Sequence, residues 1–159
     1  MNNQIEALFT TALGLQPPWH VAKVELNTAK RRIDFEVEHS GRRAACPACG
    51  FEHQLIHDRV RRSWRHLDFF QFEAWLHAEV PRVQCSGCGK TTQLPVPWAR
   101  EGSGFTLLFE ALGLSLCREL PVRQAANQMR VEAKRLWRRV RHYVEVARAK
   151  DDMSDVRHV

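Results

Sequence analysis

The phrases C-P-A-C-G at residues 46–50 and C-S-G-C-G at 85–89 write one five-residue pattern twice. In a reducing compartment two such C-x-x-C units mark a metal site far more often than disulfides. Four thiolates satisfy zinc in tetrahedral geometry and leave no open position for a reaction. Cys46, Cys49, Cys85 and Cys88 are therefore expected to hold one structural zinc ion. Each second cysteine precedes a glycine, Gly50 or Gly89, which allows the positive φ that curls a knuckle and aims amide N–H groups at sulfur.

Thirty-five residues separate Cys49 from Cys85, against roughly 15–20 in a simple ribbon. The insert must carry structure of its own, and extended strands leaving one knuckle and returning to the other would bring the pairs together. A polar and basic stretch runs to His66. Beyond it Phe70, Phe72, Ala74, Leu76, Ala78 and Val80 share one parity, opposed by Glu73, His77 and Glu79, which reads as a strand. Ahead of the first knuckle, Ile5, Leu8, Phe9, Ala12 and Leu13 predict a docking helix over 2–13, ended by Gly14 and Pro17-Pro18. Ala22, Val24 and Leu26, then Ile33, Phe35 and Val37, predict a hairpin over 21–38. His53, His57 and His66 are read as surface or DNA-facing residues and not as ligands, because the cysteine set is complete. A part this small gains folding free energy from its metal, on the order of 10 kcal/mol.

Lys plus Arg exceed Asp plus Glu by 24 to 18, a formal +6 with pI near 9.4, which suits a polyanionic partner. The excess is clustered. Arg59–His66 carries Arg59, Arg61, Arg62 and Arg65 with no acid, and Arg130–His142 carries six cations against Glu132 alone. No apolar run is long enough to span a bilayer, and the N-terminus lacks the basic start of a secretion signal, so a cytoplasmic protein, with no membrane partner and no small-molecule substrate, is expected.

T-T-Q-L-P-V-P-W-A-R holds two prolines within three residues, which bars helix and central strand and predicts an extended linker. Phe105, Leu108, Phe109, Leu112 and Leu116 then predict a helix over 104–118, with Cys117 a buried helix residue. A short helix starts at Pro121, and after a turn at Arg130-Val131 a basic helix follows: a helix-turn-helix. Ala125 or Ala126 supplies the small residue needed where the helices approach, Met129 and Val131 plug the turn, and Arg130 stands where glycine is usual. On the third helix Ala133, Leu136, Val140, Tyr143, Val144 and Ala147 share an apolar face with Trp137 at its margin. Lys134, Arg138 and Arg141 line another face. Arg135 and Arg138 are candidates for base edges, and Lys134, Arg139 and Arg141 for phosphates.

In this order, C-P-A-C-G, W-R-H-L-D at 64–68, R-V-Q-C-S-G-C-G, the P-V-P-W segment, L-P-V-R-Q-A-A and W-R-R-V resemble the ISL3 family of insertion-sequence transposases over nearly the whole chain. The resemblance implies an N-terminal zinc-binding domain and a helix-turn-helix that recognise terminal inverted repeats ahead of a catalytic domain of the three-carboxylate type. Carried over, Cys46, Cys49, Cys85 and Cys88 match the zinc ligands and residues 121–141 the helix-turn-helix. The chain is expected to stop before the first catalytic aspartate. Asp151, Asp152 and Asp155 sit in a polar stretch and are poor candidates for a metal-binding triad.

The expected fold is α+β: a zinc ribbon-like domain with β-hairpins at 1–93, a linker at 94–103, an all-α helix-turn-helix domain at 104–150, and at 151–159 a lead-in to a catalytic domain not present. The expected partner is double-stranded DNA, bound without cleavage by a nucleoid-associated protein able to pair as a homodimer. Two rivals stand beside it. One is a stand-alone zinc-containing transcription regulator. The other is a zinc-stapled interaction adaptor docking through Trp64, Phe69, Phe70 and Trp75.

Overall fold

A computed structural model describes residues 2–150; Asp151, Asp152, Asp155 and the stretch 151–159 lie outside the described residues. The chain divides into two compact units between Leu108 and Phe109.

Helix α1 (Asn2–Ala12) opens the first unit. It ends where Gly14 takes φ +67° and lets the Leu15 N–H reach back to Thr10 O at 3.0 Å. Strands β1 (Trp19–Asn27) and β2 (Arg32–His39) form the expected hairpin. A short β3 (Arg43–Ala44) follows, then β4 (Gln54–Phe69), β5 (Phe72–Gln84) and β6 (Thr91–Gln93). They form one six-stranded sheet in the order β1-β2-β5-β4-β3, with β6 beside the far end of β5. β2 and β5 run parallel; the other pairings are antiparallel.

The insert between the knuckles is the β4–β5 hairpin, its strands 16 and 13 residues long. It leaves the first knuckle, turns at Phe70-Gln71 and returns to the second. On β5 the expected inner face holds in part: Ala74, Leu76, Ala78 and Val80 are buried with Ile33, Phe35 and Val37 of β2 and Phe72 is half-buried, but Phe70 lies before the strand and is exposed, and His77, expected on the outer side, is buried. β4 lay hidden in the stretch that reads only as polar and basic, since Arg59, Arg61 and Arg62 face solvent and Trp64 is its one large apolar residue in the core.

β1 takes its expected phase only beyond an interruption. Trp19 and Val21 are buried ahead of it, whereas behind it Val24 packs against the core opposite Phe35, and Leu26, opposite Ile33, lies on the same side but is exposed. The register shifts between Val21 and Lys23, and a bulge exchanges the faces of a strand. Thr10 of α1 accepts the Val21 N–H at 2.9 Å beside this interruption, so the helix satisfies a donor there.

The expected linker 94–103 is packed structure instead. Leu94, Trp98 and Ala99 are buried, and Trp98 stands edge-on to Trp19 and Trp64 at 4.9 and 5.4 Å. Past it the chain runs along β4, with the Arg65 N–H bonded to Gly104 O at 2.9 Å and the Thr106 N–H to Arg65 O at 3.0 Å. Proline forbids regular structure there but not burial.

Helices α2 (Leu107–Glu119), α3 (Val122–Gln128) and α4 (Ala133–Lys150) follow. α2 buries Phe109, Glu110 and Gly113, while Leu108 and Leu112 of its expected apolar face are exposed and Cys117 is half-buried, not buried.

Candidate metal centre and nucleic-acid interface

The two knuckles are built alike. Gly50 and Gly89 take φ +76° and +70° and donate their N–H to Cys46 O and Cys85 O at 2.8 and 2.9 Å. The Cys46 N–H donates to Phe51 O and the Cys85 N–H to Lys90 O, at 2.9 and 3.0 Å. The four sulfurs lie within 4.8 Å of one another. Cys46 Sγ stands 3.9 Å from Cys88 Sγ, and Cys49 Sγ 3.5 Å from Cys85 Sγ. Zinc with bonds of about 2.3 Å at the centre of a tetrahedron implies edges of about 3.8 Å, so the spacing fits the ion. Cys46 and Cys85 sit against Val83 and Leu94, with Ala44 and Ile56 at their side.

Backbone donors prepare these sulfurs for a cation. The Cys85 thiol is drawn down to about 7, first by the Cys88 N–H and then, against a desolvation cost, by the Gly87 N–H, at 3.5 and 3.3 Å from Sγ. The Phe51 N–H favours the Cys49 thiolate, but crowding by Cys85, Cys88 and Cys46 outweighs it and pushes that thiol up to about 12. Four sulfurs so close ionise together only around a positive ion. No histidine joins the group among the described residues.

In the second unit α3 begins just after Pro121, and Ala125 and Ala126 are both fully buried. The turn takes the expected form without glycine: Arg130 adopts φ +55°, its N–H bonds to Asn127 O at 3.1 Å, and the Val131 N–H bonds to Ala126 O at 3.0 Å. Met129 is buried beneath it. Leu136 fixes α4 against α2 at Gly113, where an added Cβ would lie 2.7 Å from Leu136 Cδ1. Tyr143 donates to the buried Glu110 carboxylate at 2.6 Å. Cover on α4 fades past this point, since Val144 and Ala147, expected on the apolar face, are exposed.

The candidate DNA contacts separate by exposure. Lys134 and Arg138 are exposed and carry no ion pair among the described residues. Arg141 is exposed but holds Glu145 at 2.9 Å, and Arg135 and Arg139 are half-buried. Trp137, expected at the margin of the apolar face and as core, is 53% exposed and lies one helical turn from both Lys134 and Arg141. On β4, Arg59 and Arg62 are exposed, and Arg61 is committed to Glu36 through bonds of 2.6 and 2.8 Å. Arg65 is a correction: it is 1% exposed, bonded to His66 O and Ala74 O and ion-paired with Asp68 at 2.5 Å, because residues 103–106 close over it. His66 is corrected with it, being half-buried and bonded through Nδ1 to Thr106 Oγ1 at 2.8 Å.

Residues 42–88 match the family model described as the zinc-finger of transposase IS204/IS1001/IS1096/IS1165, and residues 94–144 match that of the helix-turn-helix domain of transposase family ISL3. The chain belongs to the ISL3 transposase family. The transposase for insertion sequence element IS1557 of Mycobacterium tuberculosis, in strains CDC 1551 / Oshkosh and ATCC 25618 / H37Rv, is 47% identical to it over 49 residues. That stretch is 31% of this chain and 11% of the length of the relative. No solved structure matches. The four cysteines of this ISL3 zinc finger hold one structural zinc ion.

Sequence reasoning missed two supports of the ISL3 helix-turn-helix, Gly113 and Glu110, although a glycine and an acid inside an apolar helix were visible cues. It also missed a polar row across three strands: Ser63 Oγ lies 2.7 Å from His77 Nδ1, His77 Nε2 lies 2.6 Å from Asp34 Oδ1, and Arg32 closes the row on Asp34. Burial raises the Asp34 carboxyl, but Arg32 and His77 bring it below its ordinary range. The row ties β4, β5 and β2 together and holds their register.

Proposed function

We propose that this chain is the DNA-targeting part of an insertion-sequence transposase, binding the terminal inverted repeats of its element as duplex DNA without itself cutting them. The observation that carries this reading is the exposed pair Lys134 and Arg138 on α4, the second helix of a helix-turn-helix whose opposite side is fixed by Leu136 and Tyr143. A helix held at one angle presents its cations to the major groove as a set, with Arg138 suited to guanine and Lys134 to phosphate. Arg59 and Arg62 add phosphate contacts from the zinc-bound unit. A cytoplasmic, nucleoid-associated location and pairing of copies at the two element ends follow from the same reading.

Selection from a random duplex pool tests it. One enriched sequence is expected, with log K falling by about 0.9 per phosphate neutralised as log salt rises. Arg138→Ala is expected to relax preference at one base pair, at a cost of about 1–3 kcal/mol there, whereas Arg62→Ala weakens all sequences alike. No enriched sequence, or equal loss on every sequence for Arg138→Ala, overturns the reading.

A further inference from the structure

The β4–β5 hairpin ends in a two-residue turn, Phe70-Gln71, between the paired Phe69 and Phe72. Its first position takes φ +53°, a conformation that favours glycine and burdens a bulky side chain. The Phe70 ring is 81% exposed, so burial does not repay the burden. A strained backbone that presents an apolar ring to water is the kind of local exception that marks a functional site.

The ring also stands at the end of a line of contacts. Phe70 stands 4.8 Å from Phe69, Phe69 5.4 Å from Phe9, and Phe9 4.9 Å from Phe35 in the core, an aromatic file from the interior to the tip. The β1–β2 turn lies alongside, locked by the Glu73 N–H to Arg31 O at 2.8 Å. It brings Lys30 and Arg31, both exposed and without an ion pair among the described residues. The nearby acids Asp68 and Glu73 face the buried guanidinium of Arg65, at 2.5 and 3.8 Å. Arg65, which the sequence offered as a DNA contact, thus offsets one of these two carboxylates, and with Lys30 and Arg31 the cations at the hairpin end outnumber its acids.

We infer that Phe70 is an apolar wedge that enters duplex DNA and unstacks one base step, with Lys30 and Arg31 on the flanking phosphates. A protruding apolar ring beside cations is how proteins part a base step, the cost of unstacking being met by ring–base contact and phosphate pairing. The inference rests on the DNA-binding reading above and adds a second contact, remote in sequence from α4, that distorts DNA and does not read it.

The test uses the full chain and the duplex recovered by selection, with 2-aminopurine placed in turn at each adenine. Phe70→Gly removes the ring and relaxes the turn, so it is expected to unfold at the same temperature as the parent or higher. The parent is expected to raise fluorescence at one step outside the α4 site. Phe70→Gly is expected to abolish that rise and to lose affinity on the order of tenfold, while keeping the selected sequence preference. An unchanged fluorescence profile and affinity in Phe70→Gly overturns the wedge and leaves the DNA-binding reading standing. So does a change confined to sedimentation mass, which would make the tip a protein-docking surface. Failure of the parent to bind any selected duplex overturns the DNA-binding reading itself, and the wedge with it.

Discussion

Tyr143 Oη donates a 2.6 Å hydrogen bond to Glu110 Oε2, joining the middle of α4 to a carboxylate on α2 that is almost wholly buried. The bond fixes the rotation of α4 about its axis, and so where Lys134 and Arg138 point. Tyr143→Phe keeps the ring and removes a donor from a buried acceptor, so a loss of about 1–3 kcal/mol is expected. Urea denaturation of the two proteins measures it. A midpoint equal to the parent's would show that the bond does not position the helix.

Gly113 gives the opposite of the usual helix rule. Glycine to alanine in an exposed helix gains about 1 kcal/mol, but here the new methyl would meet Leu136 Cδ1 at 2.7 Å and Met129 Cε at 3.2 Å. Gly113→Ala is expected to destabilise by about 1–3 kcal/mol through overpacking. A thermal scan that shows stabilisation would mean that α2 and α4 stand farther apart.

Zinc removal should act on the knuckle end of the sheet. Chelation, or Cys85→Ser, is expected to release Val83 and Leu94 from their contacts with the cysteines, at a cost on the order of 10 kcal/mol for the metal-held part. The α2–α4 unit, with Ala125, Ala126, Met129 and Leu136 as its own interior, is expected to keep its far-ultraviolet helical signal. Cobalt titration should saturate at one ion per chain with tetrahedral thiolate absorption. A chelated protein that melts at the parent's temperature would contradict a structural ion.

Acid should weaken the first unit in two steps. Burial, helped by the Arg65 charge, holds His66 at about 4 against its ordinary 6.5. Between those values the unfolded chain takes up a proton that the folded chain refuses, so stability falls as pH falls, by about 3 kcal/mol over the window. His66→Gln is expected to flatten that slope. Asp34 lies below its ordinary value in the folded chain and loses its contribution only as pH falls further, through the carboxylate range. Thermal melts from pH 7 to 3 separate the two, and an unchanged slope in His66→Gln would rule out the buried neutral imidazole.

The zinc ligands were legible because two matched C-x-x-C-G phrases leave few alternatives, and the Arg130 turn was legible from the spacing of two helical patterns around it. β4 was not. Its period of two is written in arginines, and nothing local says that β5 will supply its apolar neighbours. Leu26 was misread because alternation gives the side of the sheet a residue faces, as Leu26 does opposite Ile33, but not whether anything covers it. Arg65 and Arg61 look alike in R-V-R-R-S-W-R-H, yet one is interior and the other half in solvent.

The sequence by itself determined what needs only short-range chemistry: four thiols in two glycine-ended knuckles, the positions of helix breaks at Gly14 and Pro121, and the basic character of α4. Tertiary structure alone decided which cations remain available, because an arginine is recruited inward wherever carboxylates and carbonyls converge on it, as Asp68, Glu73 and Ala74 do on Arg65. It likewise decided that the proline segment is core and that Phe70 stands in water. Burial depends on what folds back from far along the chain, and that distance is absent from any local pattern.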